Sequence, residues 1–187
     1  MKHHYLASFL IASAAILSSC STNSTPTKES YTGIIPEIRA PQTIRLVGES
    51  YIAGYSAISG NGAIVEYFRQ GDGPKNWTKL IGLRTINPPT NPEKEARALA
   101  SLAQSKGAVG GQGFSKKETG EAGVYFSMPK SGASEFNIFR YAPQTGGHGV
   151  KSLQYAEVMP KSDTHSVRQK ATNLFLTVKI PEIGQTN

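Results

Sequence analysis

The sequence is poor in cysteine and lacks long apolar runs, and both shortages narrow what the chain can be. Cys20 is the only cysteine among 187 residues, so no disulfide can form within the chain and a hydrophobic core must stabilise any folded part. The longest apolar stretch, Leu6 to Leu17, covers about a dozen residues, whereas a membrane-spanning helix needs roughly 20. These shortages exclude a disulfide scaffold and argue against a spanning helix.

Motifs of several common enzyme classes are also missing. Neither G-x-S-x-G nor H-E-x-x-H occurs, and the closely spaced glycines of Gly107 to Gly113 follow a predicted helix instead of preceding one, with no Gly-Lys-Ser/Thr after them. The carboxylates Glu66, Glu118, Glu121 and Glu135 show no spacing that identifies an acid–base pair. The sequence therefore favours a non-enzymatic protein without a cofactor.

Basic residues outnumber acidic ones, 20 to 13, for a net charge of +7, yet they are dispersed. The tightest pair, Lys116-Lys117, is followed directly by Glu118. Nucleic-acid sites usually show clustered Lys and Arg, so no nucleic-acid partner is expected. Anionic headgroups, lipopolysaccharide or an acidic protein remain candidates for weak attraction, and the alternative is an ordinary solvated surface with a basic bias.

The amino terminus carries the most specific pattern in the chain. Lys2 precedes the apolar stretch, and Leu17-Ser18-Ser19-Cys20 ends it. This pattern resembles the lipobox of bacterial lipoproteins, which implies cleavage before Cys20, a diacylglyceryl thioether on its sulfur and an acylated amino group. An ordinary secretory signal with a nearby cysteine, or a cytosolic apolar helix, is the alternative.

The residue after the cysteine, Ser21, bears on location through the same resemblance. In a diderm host, lipoproteins without aspartate at this position usually reach the outer membrane, where this chain would face the periplasm or the surface. In a monoderm host it would sit on the outer face of the plasma membrane. Attachment by several acyl chains is stable because each buried CH₂ contributes about 0.8 kcal/mol.

Composition divides the chain into three parts. Residues 1–19 form the expected signal peptide, residues 20–42 the lipidated cysteine and a flexible tether, and residues 43–187 a single domain. The segment from Ser21 to Ser30 is rich in Ser, Thr and Asn and cannot bury apolar surface. Pro36 and Pro41 then prevent a continuous helix.

Hydrophobic periodicity in the third part predicts an α+β domain. Its antiparallel sheet of about five to seven strands is built from hairpins, with one helix mid-chain and one C-terminal helix. Asn91 and Pro92 mark the start of the first helix and Gly107 its end, while Ser162 or Asp163 is expected to cap the second. The predicted strands are 51–58, 63–69, 76–86, 112–115, 123–128, 135–141 and 150–158, and residues 43–47 alternate only weakly.

One short segment shows a further resemblance. Glu66-Tyr67-Phe68, Gly71 and Asn76-Trp77-Thr78 resemble a strand–turn–strand unit of small exported bacterial proteins of unknown function, which implies a similar hairpin and no particular activity. Trp77 is expected to bury its ring at the start of a strand, and a ligand-binding role is the alternative.

Two histidines are the remaining candidates for chemistry. His148 lies among glycines in Gly146-Gly147-His148-Gly149, where it could act as a general base or simply occupy an exposed turn. Asp163 and His165 could each offer a metal ligand, but a site needs three or four. Capping by Asp163 explains the pair without metal, so no metal site is predicted.

Together these patterns predict a lipid-anchored envelope protein that acts as a non-enzymatic binding or assembly module. Its partners would be the membrane, through the lipid on Cys20, and other envelope proteins, with Trp77 and His148 on a possible binding surface. Two alternatives remain open, namely an inhibitor or immunity lipoprotein directed against an exported toxin or enzyme, and an envelope hydrolase that uses His148.

Overall fold

The computed structural model describes residues 28–46, 48–146, 149–160 and 166–185. These residues form a large antiparallel sheet, a two-stranded sheet and two helices. The helices are α1 (Pro92–Ser105) and α2 (Ser166–Thr177). The strands are β1 (Lys28–Ser30), β2 (Ile38–Arg39), β3 (Thr43–Leu46), β4 (Glu49–Ser59), β5 (Gly62–Phe68), β6 (Lys79–Ile86), β7 (Val109–Lys116), β8 (Glu121–Lys130), β9 (Ala133–Pro143), β10 (Val150–Pro160) and β11 (Gly184–Gln185).

The large sheet follows the order β1-β4-β5-β6-β10-β9-β8-β7, and β3 joins it as a second partner of β4. All its pairings are antiparallel. The α+β class with an antiparallel sheet is confirmed, but the expected five to seven strands are too few, because the sheet has nine. β4 is long enough to pair with two short strands, β1 at Ser56–Ile58 and β3 at Glu49–Ile52.

Part of the segment predicted to be a flexible tether forms strands. The expected tether covers residues 20–42, yet Lys28–Ser30 pairs with β4 and Ile38–Arg39 pairs with β11. The side chains of Ile35 and Ile38 are buried in the core. Local composition gives no sign of β1, because its residues are polar and pair only with a strand that is distant in sequence.

Local chemistry explains the first hairpin and the first helix. The β4–β5 turn falls at Gly60-Asn61-Gly62 as predicted, and a side chain at Gly62 would place its Cβ 2.0 Å from the carbonyl oxygen of Thr85. Asn91 caps α1 by accepting a 2.9 Å hydrogen bond from the backbone N–H of Lys94. The expected cap of α2 at Ser162 or Asp163 lies outside the described residues.

The two faces of the large sheet carry different coverings. One face, called here the C-terminal face, is covered by α2 and by residues in and next to β2 and β11, such as Ile35, Ile38, Ile180 and Ile183. Its large apolar cluster includes Tyr51, Tyr67, Ile81, Leu83, Phe136, Ile138, Leu153, Tyr155, Phe175 and Ile183.

The opposite face, called here the α1 face, holds two smaller apolar clusters. α1 packs on β7, β8 and β9 through Ala96, Leu99 and Ala103. The second cluster lies on β4, β5, β6 and β10, where Trp77 from the β5–β6 loop packs against it. This cluster, called here the aromatic cluster, consists of Tyr55, Ala57, Ile64, Phe68, Leu80 and Ala156.

Candidate functional site

Among the predicted lipidation site, the predicted binding surface and the histidine and metal candidates, only Trp77 has a described position. Cys20, His148, Asp163 and His165 lie outside the described residues. Trp77 precedes β6 instead of starting it, and its ring is half-buried against the aromatic cluster. Within the described ranges, no three His, Cys, Asp or Glu side chains are grouped so that they could hold a metal ion.

A row of polar side chains crosses the α1 face between its two apolar clusters. In β5, β6, β10 and β9, strand pairing sets Glu66 opposite Gly82, Gly82 opposite Gln154 and Gln154 opposite Phe139. Antiparallel partners point to the same face of a sheet, so these positions share the α1 face. The row, called here the polar row, consists of Glu66, Arg84, Gln154, Asn137, Glu135 and Lys130.

One end of the polar row reaches the surface. Nζ of Lys130 lies 2.6 Å from Oε2 of Glu135, and the Lys130 side chain is 28% exposed. The same ammonium lies 5.3 Å from the centre of the Trp77 ring, within the range of a cation–π contact. Further along the row, Asn137 donates a 3.1 Å hydrogen bond to Glu135 and accepts a 3.0 Å hydrogen bond from the side-chain amide of Gln154.

The other end of the polar row contains Arg84, one of its most deeply buried members. Arg84 is 2% exposed and Glu66 is 1% exposed. Nη2 of Arg84 donates to Oε1 of Gln154 at 2.7 Å, whereas the nearest carboxylate oxygen of Glu66 is 4.0 Å away. The guanidinium lies over the ring of Phe139, 5.4 Å from its centre.

Arg84 is incompletely satisfied by the described part of the chain. Its Nε and Nη1 donors find no acceptor there, and neither does the hydroxyl of Ser152 find a partner. Arg84 and Ser152 face each other across the β6–β10 pair, and Ser152 is 0% exposed. An unsatisfied buried polar group costs about 1–3 kcal/mol, so the fold carries a local cost at this point.

Gly82 provides the space that the guanidinium occupies. A Cβ at this position would lie 3.0 Å from Oε1 of Gln154 and 3.4 Å from Nη1 of Arg84. The absence of a side chain at Gly82 therefore lets Gln154 and Arg84 lie close to the backbone of the sheet. A glycine in the middle of a strand weakens that strand, and here close approach of two polar side chains accounts for it.

The electrostatic surroundings of Arg84 leave its charge under-compensated. Burial lowers the pKa of Arg84 more than the carboxylate of Glu66 raises it. Arginine nevertheless keeps its charge in proteins. A nearby anionic group would stabilise that charge.

On the C-terminal face, in contrast, the buried arginine Arg140 is hydrogen-bonded to backbone carbonyls and to a carboxylate of the same chain. Arg140 donates through Nη1 to the carbonyl oxygens of Phe175, Leu176 and Val178, at 3.1, 3.1 and 2.6 Å, and through Nη2 to Glu121 at 3.1 Å. Its Nε alone lacks an acceptor in the described chain. These carbonyls belong to the end of α2, where cations are favourable.

Tyrosine hydroxyls on the same face also have partners. Tyr51 donates to Glu49 at 2.7 Å and Tyr155 to Glu157 at 2.6 Å. Lys79 lies 3.0 Å from Glu49 and 3.8 Å from Glu157. Burial raises the pKa of both tyrosines and these carboxylates raise it further. Both hydroxyls therefore stay protonated and act as hydrogen-bond donors within the fold.

Sequence reasoning missed the polar row, apart from noting Glu66 and Glu135 as carboxylates. A usable signal was present, because Glu66 and Arg84 are charged residues inside largely apolar strands. The sequence could not show that Arg84 meets Gln154, which is 70 positions away. That meeting depends on the pairing of β6 with β10.

Comparisons with known proteins give one family model and, among the solved structures, the mycobacterial protein LpqN as a distant neighbour. A protein-family model matches residues 38–183, and none of the curated proteins matches the chain significantly. The crystal structure of LpqN, described as involved in cell envelope biogenesis of Mycobacterium tuberculosis, aligns with 97% of this chain and 100% of its own. The identity is 13% and the TM-score 0.39, and a likeness this weak carries no conclusion about function.

Neither described helix has the length and apolar character required to span a membrane.

Proposed function

We propose that this chain, which belongs to the family whose model spans residues 38–183, is a lipid-anchored envelope protein that acts as a non-enzymatic binding module. The lipid on Cys20 would hold it at the membrane, and its domain would bind a ligand on the α1 face of the sheet. In a diderm host, Ser21 favours delivery to the outer membrane.

The observation that carries the binding role is the incompletely satisfied guanidinium of Arg84. Natural folds satisfy most buried polar groups, and an exception requires a reason. A binding role supplies one, because groups that await a ligand are unsatisfied until it binds. Arg140 supports this interpretation, since the same residue type on the C-terminal face has its Nη groups bonded to the chain.

The anchoring part of the proposal is tested by fractionation and by labelling. We expect Cys20→Ser to abolish incorporation of an alkyne-bearing fatty acid and to release the chain from washed membranes. Ser21→Ala, which keeps the cysteine, is the matched control and should remain labelled and membrane-bound. A Cys20→Ser chain that is still labelled with fatty acid would refute the lipid anchor.

The binding part is tested by purifying the full chain from its own membranes in a gentle non-ionic detergent and identifying co-purifying material by mass spectrometry. We expect a stoichiometric ligand or protein that is lost in Arg84→Met and kept in His148→Ala. Retention in Arg84→Met with loss in His148→Ala would instead favour the envelope hydrolase that uses His148.

A further inference from the structure

Three unsatisfied polar atoms belong to two paired residues on the α1 face. They are Nε and Nη1 of Arg84 and Oγ of Ser152, and none has a hydrogen-bond partner among the residues that the structure describes. Both side chains are almost fully buried, at 2% and 0% exposure, and strand pairing sets them opposite each other on β6 and β10. Two arginine donors and one hydroxyl are thus available to the same ligand group.

The chemistry of these atoms selects an anionic oxygen. The two nitrogen atoms are donors only, and the hydroxyl can donate as well, so the ligand must supply acceptors. The positive charge of Arg84 is met by Glu66 only at 4.0 Å and by the neutral amide oxygen of Gln154 at 2.7 Å. Phosphate and carboxylate groups offer both acceptors and the missing charge, and charge-assisted hydrogen bonds of this kind are the stronger class.

Room for the guanidinium is built into the sheet by Gly82. A side chain there would press on Gln154 and on Nη1 of Arg84, so the strand gives up side-chain packing to accommodate the arginine. The ring of Phe139 supports the guanidinium from one side. These contacts hold Arg84 in one position before a ligand arrives, which reduces the entropic cost of binding.

Apolar side chains lie on both sides of this polar centre. The aromatic cluster adjoins it through Ile64, which is paired with Arg84 across β5 and β6. Trp77 packs against the same cluster and contacts Lys130 at the exposed end of the polar row. An amphiphile could therefore place its head at Arg84 and its apolar part along the aromatic cluster, while a small free anion would use only the centre.

We propose that Arg84 and Ser152 bind the anionic oxygen group, phosphate or carboxylate, of a ligand that enters the α1 face of the sheet. This inference deepens the proposed binding function and does not depend on the lipid anchor. Gln154 and Gly82 position the guanidinium.

Titration of the full-length protein in a non-ionic maltoside detergent tests this site directly. Nitrogen-15 NMR follows the Nε–H signal of Arg84, which is assigned by its loss in Arg84→Met. Fluorescence follows Trp77, the only tryptophan in the chain. The probes are inorganic phosphate and acetate, which have no tail, octyl phosphate and octanoate, which carry the same groups on a tail, and octanol, which has the tail alone.

We expect at least one anionic probe to shift the Arg84 signal saturably and octanol to leave it unchanged. If only the tailed anions act, and Trp77 fluorescence changes with them, the source of the group is an amphiphile. If phosphate or acetate acts equally well without a change at Trp77, the source is a small free anion. Both results support the site, whereas no saturable shift with any anionic probe overturns it.

Variants separate this binding role from a structural one. Loss of one hydrogen bond to a charged group predicts that Ser152→Ala weakens the effective probe by about tenfold or more. Arg84→Lys keeps the charge and should retain part of the affinity, whereas Arg84→Met should remove it. Arg97→Met, which removes an arginine that is exposed on α1, should bind as the wild type does. Equal binding by Arg84→Met and wild type would overturn the site.

The binding function and this chemistry can fail separately. A co-purifying ligand that is lost in Arg84→Met, together with no response to any anionic probe, would keep the binding function and reject the anionic group. A response to the probes without any co-purifying molecule would support the site and contradict the proposed tight binding of a resident ligand.

Discussion

Arg84 and Arg140 are both buried, on opposite faces of one sheet, and they differ in what surrounds them. Arg140 donates to three carbonyl oxygens at the end of α2 and to Glu121. Arg84 makes a 2.7 Å hydrogen bond to Gln154, and two of its nitrogen atoms have no acceptor in the described chain. Burial alone therefore does not identify the role of an arginine. The guanidinium of Arg140, whose two Nη groups are bonded by the chain, holds the fold together, whereas that of Arg84, with two nitrogen atoms unsatisfied, is available for function.

The two faces of the sheet repeat this contrast on a larger scale. The C-terminal face has a large apolar core, and hydroxyls such as Tyr51 and Tyr67 reach partners, Glu49 at 2.7 Å and the carbonyl of Pro41 at 2.8 Å. The α1 face divides its apolar residues between two smaller clusters with the polar row between them. Stability is therefore expected to come mainly from the C-terminal face.

The largest expected change in the free energy of unfolding is the loss caused by Arg140→Met. The substitution leaves Glu121 without its buried partner and the end of α2 without its cation, and breaking a buried pair typically costs about 3–5 kcal/mol. Urea unfolding should show this loss, and hydrogen exchange should show it first in α2. Arg97→Met is the exposed control and should stay within about 0.5 kcal/mol of wild type. If the Arg140→Met chain were as stable as that control, Arg140 would have no structural role.

The double substitution Glu66→Gln with Arg84→Met should cost much less stability than Arg140→Met. It removes both charges of an ion pair whose closest atoms are 4.0 Å apart, so it leaves no lone buried charge, which is the main cost of breaking a buried pair. Urea unfolding of the ligand-free protein is the measurement. A loss comparable to that of Arg140→Met would mean that Arg84 is a structural residue, and the contrast between the two arginines would fail.

A smaller effect is expected from Gly82→Ala, which adds one methyl group under the polar row. The new Cβ would lie 3.0 Å from Gln154, and overpacking of this kind costs about 1–3 kcal/mol. The backbone of Gly82 is not in a left-handed conformation, so crowding is the only source of the loss. In a double-mutant cycle, Gly82→Ala should cost less in a Gln154→Ala background than in wild type, and an equal cost in both would show that the crowding lies elsewhere.

The smallest effect concerns acid stability on the C-terminal face. Burial alone raises the pKa of Glu49, but hydrogen bonds from Tyr51 and Lys79 outweigh it, and the pKa lies below its usual value of 4.5. A carboxyl with a depressed pKa stabilises the fold above the unfolded pKa, and this contribution disappears as the pH falls through the folded value. Because the Glu49 side chain is 35% exposed, solvent screening keeps the effect below about 1 kcal/mol.

Thermal unfolding between neutral pH and pH 3 measures that contribution. We expect Glu49→Gln to lower stability at neutral pH and to match wild type more closely at pH 3. Glu118→Gln, at an exposed turn, serves as the control and should unfold as wild type does throughout. If the gap between Glu49→Gln and wild type widened in acid, the assigned sign would be wrong.

Much of the fold can be predicted from local sequence because its signals are local. Asn91 and Pro92 define the start of α1, Gly60 to Gly62 define a hairpin, and alternating apolar residues identify the central strands. β1 escapes such reasoning because polar Lys28–Ser30 becomes a strand only through pairing with β4.

The candidate site could not be predicted in the same way. Arg84, Gln154 and Asn137 come from strands that meet only in the completed sheet, and whether their polar atoms are satisfied is a property of the packed structure. Sequence reasoning favoured Trp77 and His148 because unusual residue types are visible locally. Trp77 does lie at the exposed end of the polar row, whereas His148 is outside the described residues.

The most direct test of the account is the stabilisation that an anionic ligand gives to three chains. Urea unfolding of wild type, Arg140→Met and Glu66→Gln/Arg84→Met is measured with and without the effective anionic probe. A ligand at 100 times its dissociation constant stabilises a folded protein by about 2.7 kcal/mol. We expect wild type and the weakened Arg140→Met chain to gain equally, and the double variant to gain nothing. Equal stabilisation of the double variant and wild type would contradict the claim that the α1 face binds its ligand through Arg84.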